Sequence, residues 1–107
     1  MKSDTVYLIH ILECIAKIED YTKSGKIVFM QTTLIQDGVI RNMEVIGEAV
    51  KKLSPGFRES HAKVPWRQIA GIRDVLIHEY MGVDLDMIWE VIEKDLSVLK
   101  DSINRIM

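Results

Sequence analysis

The chain is poor in every feature that would staple, anchor or kink it. One cysteine, Cys14, stands in 107 residues, so no internal disulfide can form and a zinc site built from several cysteines is excluded. A reducing, cytoplasmic setting is the simple expectation. No apolar run approaches the roughly 18 residues that a membrane span requires. The first stretch, MKSDTVYLIHILECIAKIEDY, lacks a signal-peptide layout, because Asp4, His10 and Glu13 interrupt its apolar residues. Two prolines and six glycines leave few turns and predict long regular elements, and seven aromatic residues are too few for a typical β-sandwich. An excess of basic charge is missing as well: 14 Lys and Arg face 16 Asp and Glu, a net charge of −2. That argues against a generic nucleic-acid binder held by phosphate attraction alone. An enzyme acting on RNA needs only a local positive site and stays open.

What the chain does have is helical periodicity, in one domain spanning 1–107. In the first segment, Asp4 to Tyr21, the residues Leu8, Ile11, Ile15 and Ile18 form one stripe, with Ser3 or Asp4 placed to cap its start. A turn at Thr22–Lys26 precedes Ile27–Met30, four apolar residues read as a helical lead-in, since an isolated strand has nothing to pair with. From Thr32 to Leu53, Val39, Met43, Ile46, Val50 and Leu53 make a heptad-like seam, ending on Lys51 and Lys52, whose charge suits a helix C-terminus. Ser54-Pro55-Gly56 stops it, and Phe57–His61 is expected to form one short turn opened by Pro55. Pro65 starts a third long helix toward Tyr80, with Gly71 inside it as a sign of a bend or a close helix contact. Asp84 caps a fourth, Leu85 to Ile106, with its seam on Leu85, Ile88, Ile92, Leu96, Leu99, Ile103 and Ile106. The expected fold is all-α: an antiparallel bundle of four main helices with one short extra helical turn.

Reactive side chains concentrate in Gly71–Tyr80. At about 100° per residue, Arg73 and Tyr80 lie within about 20° of each other on the helix, and Asp74 and His78 lie about 40° and one turn apart. Arg73 and His78 are about 140° apart, so they meet on one ligand only if the helix bends or a second chain supplies one of them. These groups suit phosphodiester cleavage without a metal. Histidine exchanges protons near neutral pH. Arginine stays charged and grips phosphate through a planar fork. Asp74 can orient His78, and Tyr80 can donate a hydroxyl hydrogen bond. By spacing alone, solvated or paired charges closing a helix end explain the same residues better.

A second cluster, Arg41-Asn42-Met43-Glu44 with Glu48 beyond, either flanks the third-helix site or is a solvated face in which Asn42 bonds to another helix. His10 and His61 lack the spacing of a zinc site. Cys14 reads as a buried small hydrophobe, and Trp66 and Trp89 as core anchors. There is no glycine-rich phosphate loop and no glycosidase-type carboxylate pair, and no cofactor is expected.

The stretches YLIHILECIAKIEDYT, LIQDGVIRNMEVIGEAVKKLSP and VPWRQIAGIRDVLIHEYMGVDLDMIWEVIEKDL, in order over most of residues 7–96, resemble the HepT-like ribonuclease toxins of the HEPN superfamily. The family motif is Arg, a polar residue, three more residues, His, one residue, Tyr; here it falls on Arg73, Asp74, His78 and Tyr80. The resemblance implies a metal-independent endoribonuclease, the toxin of a type VII HEPN/MNT toxin–antitoxin pair. It implies a homodimer in which two motifs face each other in one composite cleft, which would remove the 140° difficulty. It also implies a nucleotidyltransferase antitoxin of the MntA type that neutralises the toxin by attaching AMP to Tyr80, adding bulk and negative charge beside Arg73. Arg41 and Asn42 fall on the neighbouring helix with no motif-assigned role. The competing readings are a non-catalytic helical substrate-binding or scaffold subunit of a minimal nucleotidyltransferase, and an inert dimeric scaffold.

Overall fold

Three-residue and four-residue apolar steps decide the architecture, because each stripe must be buried against another helix. In the computed structural model, which describes residues 3–78 and 82–107 apart from the side chains of Ile77 and His78, every described regular element is helical. They follow in order as α1 (Asp4–Tyr21), α2 (Lys26–Gln31), α3 (Thr33–Lys52), α4 (Pro55–Ser60), α5 (Trp66–His78), α6 (Leu85–Glu90), a π-helical turn (Val91–Asp95) and α7 (Leu96–Ile106). The all-α bundle read from the sequence is the observed fold. None of the described helices is long and apolar enough to cross a membrane.

The predicted stripes are the core. Leu8, Ile11, Ile15 and Ile18 of α1 and Val39, Met43, Ile46, Val50 and Leu53 of α3 are all buried. Helix α3 is central and packs against α1 on one side and α5 on the other, while α7 leans on α1. Cys14 lies in this core as expected, and burial raises its thiol pKa, which keeps it protonated and unreactive at neutral pH. Trp66 is buried and donates through Nε1 to the His61 carbonyl at 3.1 Å. Trp89 packs beside Phe29 with ring centroids 5.3 Å apart and donates to Glu93. Both indoles therefore anchor packing.

Several local expectations need correction. Neither Ser3 nor Asp4 caps α1: Ser3 occupies the cap position without a side-chain bond. Asp4 instead reaches across the chain and accepts from the Ser54 amide at 2.7 Å and from its hydroxyl at 2.8 Å. Ser54 Oγ in turn accepts from the Phe57 amide and caps α4, so one carboxylate ties the start of α1 to the α3–α4 corner. The lead-in at Ile27–Met30 is helical but forms its own helix, α2, separated from α3 at Thr32. It starts at Gly25, whose φ of 96° is open to glycine and strained for other residues. Pro65 stands just outside α5 and supplies the carbonyl of its first hydrogen bond, to Ile69 at 3.2 Å.

The last long helix is interrupted. The expected seam steps by four from Ile88 to Ile92 and by four again to Leu96. In the structure the buried positions are Ile88, Val91 and Leu96, steps of three and five, and the five-residue step coincides with the π-helical turn. Ile92 is left partly buried against the same core.

Gly71 makes no close contact: a methyl group there would meet nothing within 4 Å. The close approach occurs at Gly47 on α3, where a methyl group would overlap Cβ of Arg73. That atom is fixed to the α5 backbone and cannot swing aside. Two glycine-to-alanine changes should therefore diverge. Gly71→Ala gains helix propensity in open space and should raise stability by about 1 kcal/mol. Gly47→Ala must push α5 off α3, an overpacking cost of about 1–3 kcal/mol that outweighs the same propensity gain. Urea melts of the two variants check this, and a G47A midpoint at or above that of the parent would refute the contact.

Candidate functional site: an arginine network at the α3–α5 crossing

The glycine at position 47 brings the α5 backbone onto α3, and the side chains on either side of that contact form the site. Arg73 lies directly over Gly47. Its Nε is 3.0 Å from Glu48 Oε2, and its NH1 is 3.5 Å from Asp74 Oδ1. One turn along α3, Lys51 donates to the same Asp74 oxygen at 2.7 Å. The result is a chain of alternating charge, Glu48, Arg73, Asp74 and Lys51, joining two helices. None of the four is sequestered: the Arg73 side chain keeps 30% exposure, Lys51 39%, Glu48 46% and Asp74 50%. These are solvent-facing pairs that orient a guanidinium more than they stabilise the fold.

A groove of about 360 Å³ opens beside Arg73, lined also by Arg41, Glu44, Val45 and Glu48. Arg41 sits on its outer rim, 4.0 Å from Glu44 and largely exposed. A second groove of the same size adjoins it across Val45 and Glu48 and carries His10, Glu13 and Tyr7 on its α1 wall. The structure thus brings Arg73, Asp74 and Arg41 to one side of α3. It does not turn Asn42 toward them or toward another helix: the Asn42 amide donates to the Gly38 carbonyl of its own helix at 2.8 Å, a back-bond that meets the side chain's need locally. His78 is the last residue of α5, but its side chain, like the whole of Tyr80, lies outside the described residues.

The sequence reading missed two participants. Glu48 reads there as part of a solvated face and Lys51 as a helix-end charge, yet both hold the α5 pair in place. Their spacing of three on α3 was visible, but which α5 residues they meet depends on the crossing at Gly47. Among the described residues no cluster of three or more His, Cys, Asp or Glu side chains is arranged to hold a metal ion.

A helical bundle that holds an arginine between carboxylates beside an open groove is equipped to grip a phosphate group. The family model described as HepT-like, Ribonuclease HepT-like, matches residues 11–106. The chain is 48% identical over its whole length to a protein of Methanocaldococcus jannaschii whose name joins a gamma-glutamylcyclotransferase to a candidate RNase, and covers 49% of that protein. It is 44% identical, again over its whole length, to a candidate RNase of Caldanaerobacter subterraneus subsp. tengcongensis, covering 96% of it. To a probable ribonuclease HepT of Thermococcus cleftensis it is 37% identical over 98% of this chain and 96% of that one. It therefore spans about half the length of the first relative and nearly all of the other two. No solved structure matches. The chain belongs to the HepT-like ribonuclease family.

Because Arg73 contributes its Cβ to the helix contact and its guanidinium only to exposed pairs, Arg73→Ala should leave the fold intact. Exposed ion pairs are worth about 1 kcal/mol or less each, so the thermal midpoint should fall by only a few degrees. Helical circular dichroism during melting tests this. Loss of the folded state would mean that the guanidinium is structural.

Proposed function

We propose that this protein is the toxin of a HEPN/MNT toxin–antitoxin pair and cleaves RNA without a metal ion, at a composite site formed by two copies of the chain. The observation that carries the reading is the position of Arg73: the motif arginine of a HepT-like chain, held by Glu48 and Asp74 at the rim of an open groove. Glu48 takes the Nε edge of the guanidinium and fixes its plane. A scissile phosphate then meets an already oriented cation, whose hold strengthens as negative charge grows on the phosphoryl oxygens. Arg41, on the rim of the same groove, suits a flanking phosphate. Asn42, bonded along its own helix, supports such a role least.

His78 supplies the proton chemistry in this reading. It takes the proton of the ribose 2′-hydroxyl, the 2′-oxygen attacks phosphorus, and the bond from phosphorus to the 5′-oxygen breaks. The leaving oxygen takes up a proton, and the strand ends in a 2′,3′-cyclic phosphate. Asp74 orients His78 and so acts as a positioning residue. A two-fold dimer supplies arginine and histidine from different chains, which answers the 140° separation within one helix.

Cleavage of RNA with EDTA present is the direct test. The expected result is undiminished cutting that leaves 2′,3′-cyclic phosphate ends, abolished in His78→Ala and lowered at least 100-fold in Arg73→Ala, as for loss of one charge-stabilising donor. Loss of cutting on chelation would overturn the metal-free mechanism. A wild-type protein that neither cuts RNA nor arrests growth would favour the scaffold reading instead.

Neutralisation is expected through Tyr80. A nucleotidyltransferase partner would join the AMP phosphorus to the tyrosine oxygen and release pyrophosphate from ATP. The added negative charge then opposes an incoming RNA phosphate. Intact mass of the protein made with and without its genomic neighbour should differ by one or more AMP units, and Tyr80→Phe should abolish the difference. An unchanged mass, or a gain that survives Y80F, would refute this regulation.

A further inference from the structure

Some of the chain's cations face carboxylates and others, among them Lys17 and Lys52, make no ion pair among the described residues. Those at the arginine network are neutralised: Arg41, Lys51 and Arg73 each face a carboxylate. Around the start of α5 they are not. Two adjoining grooves, of about 700 and 250 Å³, share Ala62 and Val64. The larger carries Arg58 and Arg67, and the smaller Lys63, His61 and Arg105. Arg58, Lys63, Arg67 and Arg105 make no ion pair among the described residues, and Glu59, the one carboxylate lining either groove, pairs with none of them.

Arg58 adds a second observation. Its Nε is buried without a hydrogen-bond partner, so packing, and no acid, sets the position of this guanidinium. A buried unpaired donor is a cost, and arginine carries its charge regardless, so this cation faces the groove without a bonded acid. Four uncancelled cations around two joined concavities, in a chain of net charge −2, make a local field suited to a polyanion.

We propose that Arg58, Lys63, Arg67 and Arg105 form a docking site for the phosphate backbone of an RNA strand, separate from the cleavage site. Arg67 opens the helix that carries Arg73. The six-residue step between them covers about 9 Å along the axis and about 120° around it, so a strand that crosses α5 obliquely can touch both regions within a few nucleotides. The division of labour follows from charge. The neutral network around Arg73 has little long-range pull on RNA, so the unpaired cations supply affinity while Arg73 acts on one phosphate. The proposal rests on RNA being the substrate, but its test reads binding and not cleavage, so the two can fail separately.

The test uses the cleavage-dead His78→Ala protein and a fluorescein-labelled single-stranded oligouridylate, with anisotropy read over a range of salt. In that background, Lys63→Gln with Arg67→Gln should weaken binding at least tenfold. It should also reduce the slope of log K against log salt by about 1.4, since each single-strand phosphate contact contributes about 0.7. A control removing equal charge elsewhere, Lys23→Gln with Lys94→Gln, should leave both unchanged. Arg58→Gln should act in the same direction, and if it unfolds, Arg105→Gln replaces it, because Arg105 lies exposed on the rim. Inorganic phosphate at equal phosphate concentration should not displace the strand. Equal effects in the patch and control variants would overturn the proposal, as would an unchanged salt slope or displacement by phosphate alone. Binding lost in the patch variants while the wild type never cuts RNA would uphold the docking site and refute the ribonuclease reading.

Discussion

The site depends on the absence of one methyl group. Where α3 and α5 cross, Gly47 lets the α5 backbone approach until Arg73 Cβ occupies the space that any other residue at 47 would fill. This fixes more than a packing distance. It sets the height of Arg73 above α3, and only at that height does Glu48 reach Nε and Lys51 reach Asp74. The core seams of α1 and α3 determine that there is a bundle. The glycine determines that this bundle presents an arginine at a groove.

Much of the fold was legible because burial follows period. The α1 and α3 stripes were readable residue by residue, and a short turn opened by Pro55 was readable too, though it was expected over Phe57–His61 and runs over Pro55–Ser60. The π-helical turn was not legible, for an arithmetical reason. From Ile88 to Leu96 is eight residues, and eight divides as four plus four in a regular helix or as three plus five across a π turn. Both patterns bury apolar residues, so Val91 against Ile92 is decided by packing. Two of the helix-interior glycines show the same limit. Gly47 and Gly71 look alike in sequence, and only the partner helix separates the one that is required from the one in open space.

The site was half legible. Arg73 and Asp74 stand out because reactive types cluster there. Glu48 and Lys51 do not, because their importance comes from residues 25 and 23 positions away across a crossing that periodicity cannot orient. Asn42 illustrates the opposite error. A polar residue near a seam invites a search for a partner on another helix, but a carbonyl one turn back satisfies it. A poor helix former inside a helix is therefore weak evidence for a site, whereas a charged residue beside a glycine that touches another helix is stronger.

Charge distribution links this geometry to the proposed biology. Around Arg73 the cations Arg41, Lys51 and Arg73 are matched by Glu44, Glu48 and Asp74, so the groove is poised near zero net charge. A neutral site has two consequences. It exerts little long-range attraction, so on the docking proposal affinity for a polyanion would come from the unpaired cations near the start of α5. It also has no reserve of positive charge to offset an added anion. On the reading in which AMP is attached to Tyr80, a phosphodiester reaching the groove would turn a balanced site into one that repels RNA, while the cations around the start of α5 would keep their charge. Silencing would then act on the chemical step at the groove more than on the protein's hold on RNA. On the two proposals together, a chain of net negative charge would act on a polyanion because the charge that recruits, around the start of α5, is separate from the charge that reacts, in its middle.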